Sequence, residues 1–122
     1  MLTDEQRLLR TVSEAAWQKQ VEQTLALCGF DLQYHTHDSR RSQAGFPDIV
    51  ATRETNGFYT LLFVELKRET GQATTDQYRW LDDLSMIAAL INRMPGLKVR
   101  MIVDLWRPSD AERLWNLLQE ER

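Results

Sequence analysis

The chain has 122 residues, 43% hydrophobic and 27% charged, with a net charge of −3. That length suits one domain over residues 1–122 with a sizeable core, and the mild acidity argues against a generic nucleic-acid coat, though active-site acids would count against the total. A single cysteine, Cys28, excludes an internal disulfide and a thiol-rich zinc site; no apolar run reaches the ~20 residues of a membrane span, and the start MLTDEQRLLR lacks a signal peptide's apolar region, so a cytoplasmic setting is expected.

Thr3-Asp4-Glu5-Gln6 has the form of a capping box and opens a short first helix. The next helix is expected from Ser13, which can cap it, to Cys28, with Gly29 closing it. Trp17, Val21, Leu25 and Cys28 make its apolar stripe. FDLQYH alternates as a strand near 30–35, and THDSRRSQAG is a polar loop. Strands near 48–53 and 58–66 meet through Asn56-Gly57. TTDQ at 74–77 opens a long helix to about Arg93, which Pro95-Gly96 stops. Leu97, Val99, Met101, Val103 and Leu105 alternate as a further strand. SDAE at 109–112 caps a last helix carrying Leu114, Trp115, Leu117 and Leu118. The order is α, α, β, β, β, α, β, α.

The Asn-Gly pair favours a two-residue type I′ hairpin turn. With that turn, residues whose numbers sum to 113 lie opposite each other, and Asp48 meets Glu65. Opposed residues share a face, with Cβ atoms roughly 4.5–5.5 Å apart. Two such carboxylates repel, and a cation between them reverses the sign. Lys67, two residues on, shares that face. A three-residue loop or a bulge would shift this register by one. Hard cations such as Mg²⁺ take one or two carboxylates plus phosphate and water. They polarise phosphoryl oxygens and acidify bound water, and a neighbouring lysine steadies the developing charge. The constellation suits phosphodiester hydrolysis.

The segments SEAAWQKQVEQTLALCGF, HDSRRSQAGFPDIV, FVELKRETGQATTDQYRWLDDL and LWRPSD together resemble VRR-NUC domains. These belong to the Holliday-junction-resolvase-like branch of the PD-(D/E)XK nuclease superfamily. The resemblance covers about residues 13–110. It implies an α/β, restriction-endonuclease-like αβββαβ core, with a mixed central sheet flanked by helices. It also implies a Mg²⁺- or Mn²⁺-dependent DNA endonuclease, selective for branched DNA such as Holliday junctions or flaps, in a bacterial or phage-infected cell. Asp48 and Glu65 match the two metal-binding acids, the Leu66 carbonyl a third ligand, and Lys67 the catalytic lysine. Glu14 matches the acid on the first helix, aimed inward to serve a second ion or its waters. Gln77 matches the glutamine opening the helix after the motif. The motif glycine stands one residue early, as Gly45, with Phe46 before Pro47-Asp48.

Blander roles exist for each. Glu65 and Lys67 could form a plain ion pair, Glu14 could favour its helix dipole, and Gln77 could complete a capping box with Thr74. Ser39, Arg40, Arg41 and Arg68 are either solvated charges and loop polars or DNA-backbone contacts. His35 and His37 form an HxH pair that could bind a transition metal, but no third ligand is near in sequence. A non-catalytic DNA-binding accessory subunit is the alternative function. A homodimer would suit the two-fold symmetry of a junction, with Trp80, Met86 and Met94 or Trp115 at its interface.

Overall fold

The computed structural model describes residues 1–36 and 43–119. The hairpin turn sets the sheet. Asn56 and Gly57 have φ of 52° and 81°, the two positive values a type I′ turn requires. The strands it joins, β2 (Ile49–Thr55) and β3 (Phe58–Leu66), pair from Thr55↔Phe58 to Ile49↔Val64. That is the expected register, without a bulge. β1 (Leu32–His35) pairs antiparallel with β2, and β4 (Val99–Trp106) pairs parallel with β3. The sheet order is β1-β2-β3-β4, and α3 (Thr75–Arg93) makes the crossover. With α1 (Asp4–Thr11), α2 (Glu14–Leu27) and α4 (Ala111–Gln119), this is the restriction-endonuclease-like α/β arrangement, a mixed sheet flanked by helices. No helix among the described residues is long and apolar enough to cross a membrane.

Strand alternation divides the sheet's work. Ile49, Ala51, Leu62, Val64, Leu66 and Trp106 point to one face, where they pack with Trp17, Val21 and Leu25 of α2 and Leu114 and Leu118 of α4. α3 covers part of the other face, burying Leu81 and Ala88. Asp48 and Glu65 are out of phase with Ile49 and Val64, so they face the α3 side.

Arg53 falls in phase with Ile49 and Ala51 and is therefore buried in the main core. Its guanidinium lies 4.6 Å from the centre of the Phe30 ring. It donates to the carbonyls of Cys28 and Leu118, at the C-terminal ends of α2 and α4. Helix C-termini carry partial negative charge, so a cation there answers two otherwise orphaned carbonyls.

β4 ends the sheet, and side chains occupy part of its outer rim. Asn92 of α3 donates to the Met101 carbonyl and accepts its N–H, both at 2.9 Å. The Leu105 N–H goes to the Asp104 carboxylate.

One sequence expectation changes. Ser109 does not cap the last helix. Pro108 starts a 3-10 turn, Pro108–Asp110, and the Asp110 carboxylate accepts the Arg107 N–H at 2.8 Å. Proline favours the first position of a helical turn, so the turn begins there and α4 follows at Ala111. Of the four tryptophans, Trp17 and Trp106 are core, but Trp80 is half-buried and Trp115 exposed.

Candidate active site

The site forms where β2 begins and β3 ends. Asp48 precedes the first residue of β2, and its Oδ2 accepts the Leu66 N–H at 2.7 Å. Extending the register one step sets Asp48 opposite Glu65. A second step sets Leu66 opposite Pro47, which has no N–H. The ladder thus offers the Leu66 carbonyl no donor, and Leu66's own N–H goes to the Asp48 carboxylate.

Glu65 is 1% exposed. Its Oε2 accepts a hydrogen bond from Gln77 Nε2 at 2.9 Å and lies 3.6 Å from Lys67 Nζ. Its Oε1 is buried with no hydrogen-bond partner. Burial, and then the Asp48 carboxylate, push the Glu65 acid up to about 8, with Lys67 opposing and Glu14 adding a smaller push. A buried oxygen without a donor is costly, and a divalent cation between Glu65 and Asp48 would meet it. Among the described residues no three His, Cys, Asp or Glu side chains gather into a cage. Two carboxylates, a backbone carbonyl and open positions for water and phosphate match what Mg²⁺ accepts.

The supports are local. Gly45 has φ 84°, and a Cβ there would sit 2.5 Å from the backbone of Asp76. Only glycine lets this segment touch the start of α3. Phe46 then makes edge contacts with Phe63 and Trp80, and Trp80 Nε1 donates to the Ala44 carbonyl. Thr36 bonds the carbonyls of Asp48 and Pro47 through its N–H and hydroxyl. The Trp106 carbonyl accepts both the Lys67 N–H and Trp17 Nε1, tying the end of β3 to α2. The stretch after Lys67 is held by Arg107 donating to the Gly71 carbonyl at 2.7 Å and by Glu69 accepting the Ser109 N–H at 3.0 Å.

The structure brings Asp48, Glu65, Leu66, Lys67 and Gln77 together. Glu14 heads α2 ahead of the stripe of Trp17, Val21 and Leu25 and is exposed rather than buried. A first-turn residue has no further helix above it to enclose it. Its influence on the Glu65 acid is electrostatic. Gln77 fills both anticipated roles, since it also completes the capping box with Thr74. Arg68 is exposed and donates to the Arg10 carbonyl at 3.1 Å. Ser39, Arg40, Arg41 and His37 lie outside the described residues. His35 is turned toward α2, its Nδ1 3.1 Å from Gln18 and its Nε2 3.4 Å from Glu22, so both ring nitrogens face protein rather than a cation. Sequence reading missed the Trp106 carbonyl and the Thr36 and Arg107 anchors. Backbone acceptors leave no residue-type signal, although the position of Arg107 before Pro108 marks a turn.

A family model for the VRR-NUC domain matches residues 2–88. That span runs from before α1 into α3 and holds Glu14, Asp48, Glu65, Lys67 and Gln77; the LWRPSD segment lies beyond it. No curated protein and no solved structure matches the chain.

Proposed function

The chain belongs to the VRR-NUC domain family of nucleases, and we propose that it is a divalent-metal-dependent DNA endonuclease acting on branched DNA as a homodimer. The observation that carries this reading is the buried Glu65 carboxyl set against Asp48, with an Oε1 that no donor of the described residues reaches. A silent binding module has no use for two opposed acids. Asp48, Glu65 and the Leu66 carbonyl would hold Mg²⁺ or Mn²⁺. Such an ion, when bound, polarises the scissile phosphate and acidifies water.

The chain's own groups do the rest. Lys67 Nζ, 3.6 Å from Glu65 Oε2, is placed to orient the attacking water and to donate to the phosphate oxygens as charge builds. Gln77 holds Glu65 Oε2. Glu14, at the exposed head of α2, assists a second ion or its waters. Arg68, with Ser39, Arg40 and Arg41, contacts the DNA backbone.

Two cuts on opposing strands of a junction need two sites, and two copies related by a two-fold axis supply them. Met86, Ile87 and Leu90 of α3 and Met94 just after it are exposed, as is Trp115 of α4; either patch offers apolar surface to a second copy.

Cleavage of linear, flapped and four-way DNA, with Mg²⁺ or Mn²⁺ and with EDTA, tests the reading. We expect metal-dependent cutting, strongest on the four-way substrate. Full activity in EDTA would refute the metal site. DNA binding without cleavage would favour an accessory subunit. Sedimentation showing only single chains, with and without junction DNA, would remove the dimer.

A further inference from the structure

The two capping boxes of this chain are built alike and sit in different surroundings. In α1, the Thr3 N–H donates to Gln6 Oε1 at 2.9 Å and the Gln6 N–H to Thr3 Oγ1 at 3.0 Å, on a helix with no buried residue. In α3, the Thr74 N–H donates to Gln77 Oε1 at 2.8 Å and the Gln77 N–H to Thr74 Oγ1 at 3.2 Å. Only in α3 does the other end of the glutamine amide reach an acid, Glu65 Oε2, at 2.9 Å.

An amide has one acceptor end and one donor end. Turned over, the Gln77 amide would set its NH₂ against the Thr74 N–H and its oxygen against a carboxylate. The Thr74 N–H therefore decides which end faces Glu65. The two bonds run in series, so each polarises the other. The result reaches the acid itself: Oε2 is held, while Oε1 stays unpartnered.

We propose that the Thr74 N–H is a positioning group for Glu65: it locks the Gln77 amide so that its NH₂ holds Oε2 and leaves Oε1 to the cation. The α3 capping box thus links helix initiation to the metal-binding acid, and Gln77 positions rather than reacts. The proposal rests on the nuclease reading.

Four variants separate a positioning role from a merely structural one. The measurements are Mn²⁺ affinity by calorimetry without DNA, cleavage rate, and melting temperature. T74A loses the hydroxyl cap but keeps the N–H. It should melt lower, with Mn²⁺ affinity and cleavage unchanged at temperatures well below melting. T74P loses the N–H as well, and φ −77° at Thr74 suits proline. It should bind Mn²⁺ about 10–100-fold more weakly, the usual cost of removing a partner of a metal ligand, with a matching loss of cleavage. Q77L should reproduce that loss, and adding T74P to it should change nothing further. T3P should lower melting alone.

T74P equal to T74A in Mn²⁺ affinity, or losses from T74P and Q77L that add, would overturn the proposal. If T74P does not fold, wild-type Mn²⁺ affinity in Q77L overturns it equally. A wild-type chain that neither binds Mn²⁺ nor cuts DNA removes the nuclease reading, and this proposal with it. A wild-type chain that binds Mn²⁺, with T74P unchanged, removes only the positioning role.

Discussion

One hairpin carries two buried ionisable side chains, Arg53 on β2 and Glu65 on β3, and they are treated in opposite ways. Arg53 faces the main core and is met by opposite partial charge: two helix-terminal carbonyls and an aromatic ring. Glu65 faces the α3 side at the far end of the hairpin. It is met by one amide, a lysine at 3.6 Å, and an opposed carboxylate. Burying a charge costs several kcal/mol unless it is compensated. Where the surroundings are acceptors of the chain itself, as at Arg53, the charge serves the fold. Where a second acid stands opposite, as at Glu65, a cation from outside would turn repulsion into attraction.

The largest test of this contrast is Glu65→Gln, with Asp48→Asn beside it. Both should lower cleavage by roughly 10³-fold or more and abolish Mn²⁺ binding in calorimetry, while the protein still folds. A cleaving E65Q protein would break the comparison. Next, Lys67→Ala should slow cleavage by roughly 10²–10³-fold with Mn²⁺ affinity retained, since its ammonium opposes a nearby cation. Near wild-type turnover on saturating DNA would refute its role.

On the other side of the contrast, Arg53→Met should cost roughly 2–4 kcal/mol of stability by stranding two carbonyls, read from denaturant unfolding. Mn²⁺ affinity of the folded fraction should not change. A loss of metal binding in R53M would show that the two charges are not separable.

The smallest effect is in pH. Glu65 rises from 4.5 to about 8 on folding, chiefly through burial. Between those values the native state keeps a proton that the unfolded chain has released. The metal-free protein should therefore lose roughly 1–3 kcal/mol of stability as pH climbs through that window. E65Q should flatten this slope, and Mg²⁺ should restore stability to the wild type alone. An unchanged slope in E65Q would place the titration elsewhere.

Much of this arrangement was legible in the sequence because its signals are local. Asn56-Gly57 fixes both the turn and the register, and the register alone opposes Asp48 to Glu65. The capping boxes at Thr3 and Thr74 mark helix starts directly, and the stripe of Trp17, Val21 and Leu25 gives α2 its buried face. What escaped reading depends on partners far apart in the chain. Arg53 stands in phase with Ile49 and Ala51, a signal that was present, but its receptors are carbonyls of Cys28 and Leu118, which no residue type reveals. The exposure of Glu14 follows from its place in the first turn, where stripe position no longer dictates burial. Trp115 stands one residue past Leu114, off the buried stripe of Leu114 and Leu118, and is exposed.

The rim of β4 has a consequence for how copies of this protein can meet. A bare outer strand is a template on which a neighbouring chain can add its own, by the same backbone pairing that joins strands within the sheet. Asn92 gives Met101 the donor and acceptor that an added strand would have to supply, and Asp104 takes the Leu105 N–H. A newcomer on this side would have to displace both. Sheet extension across β4 is thereby discouraged at two of its outward-facing positions, which favours association through side-chain surfaces, where shape and sequence choose the partner, over the unselective chemistry of the main chain.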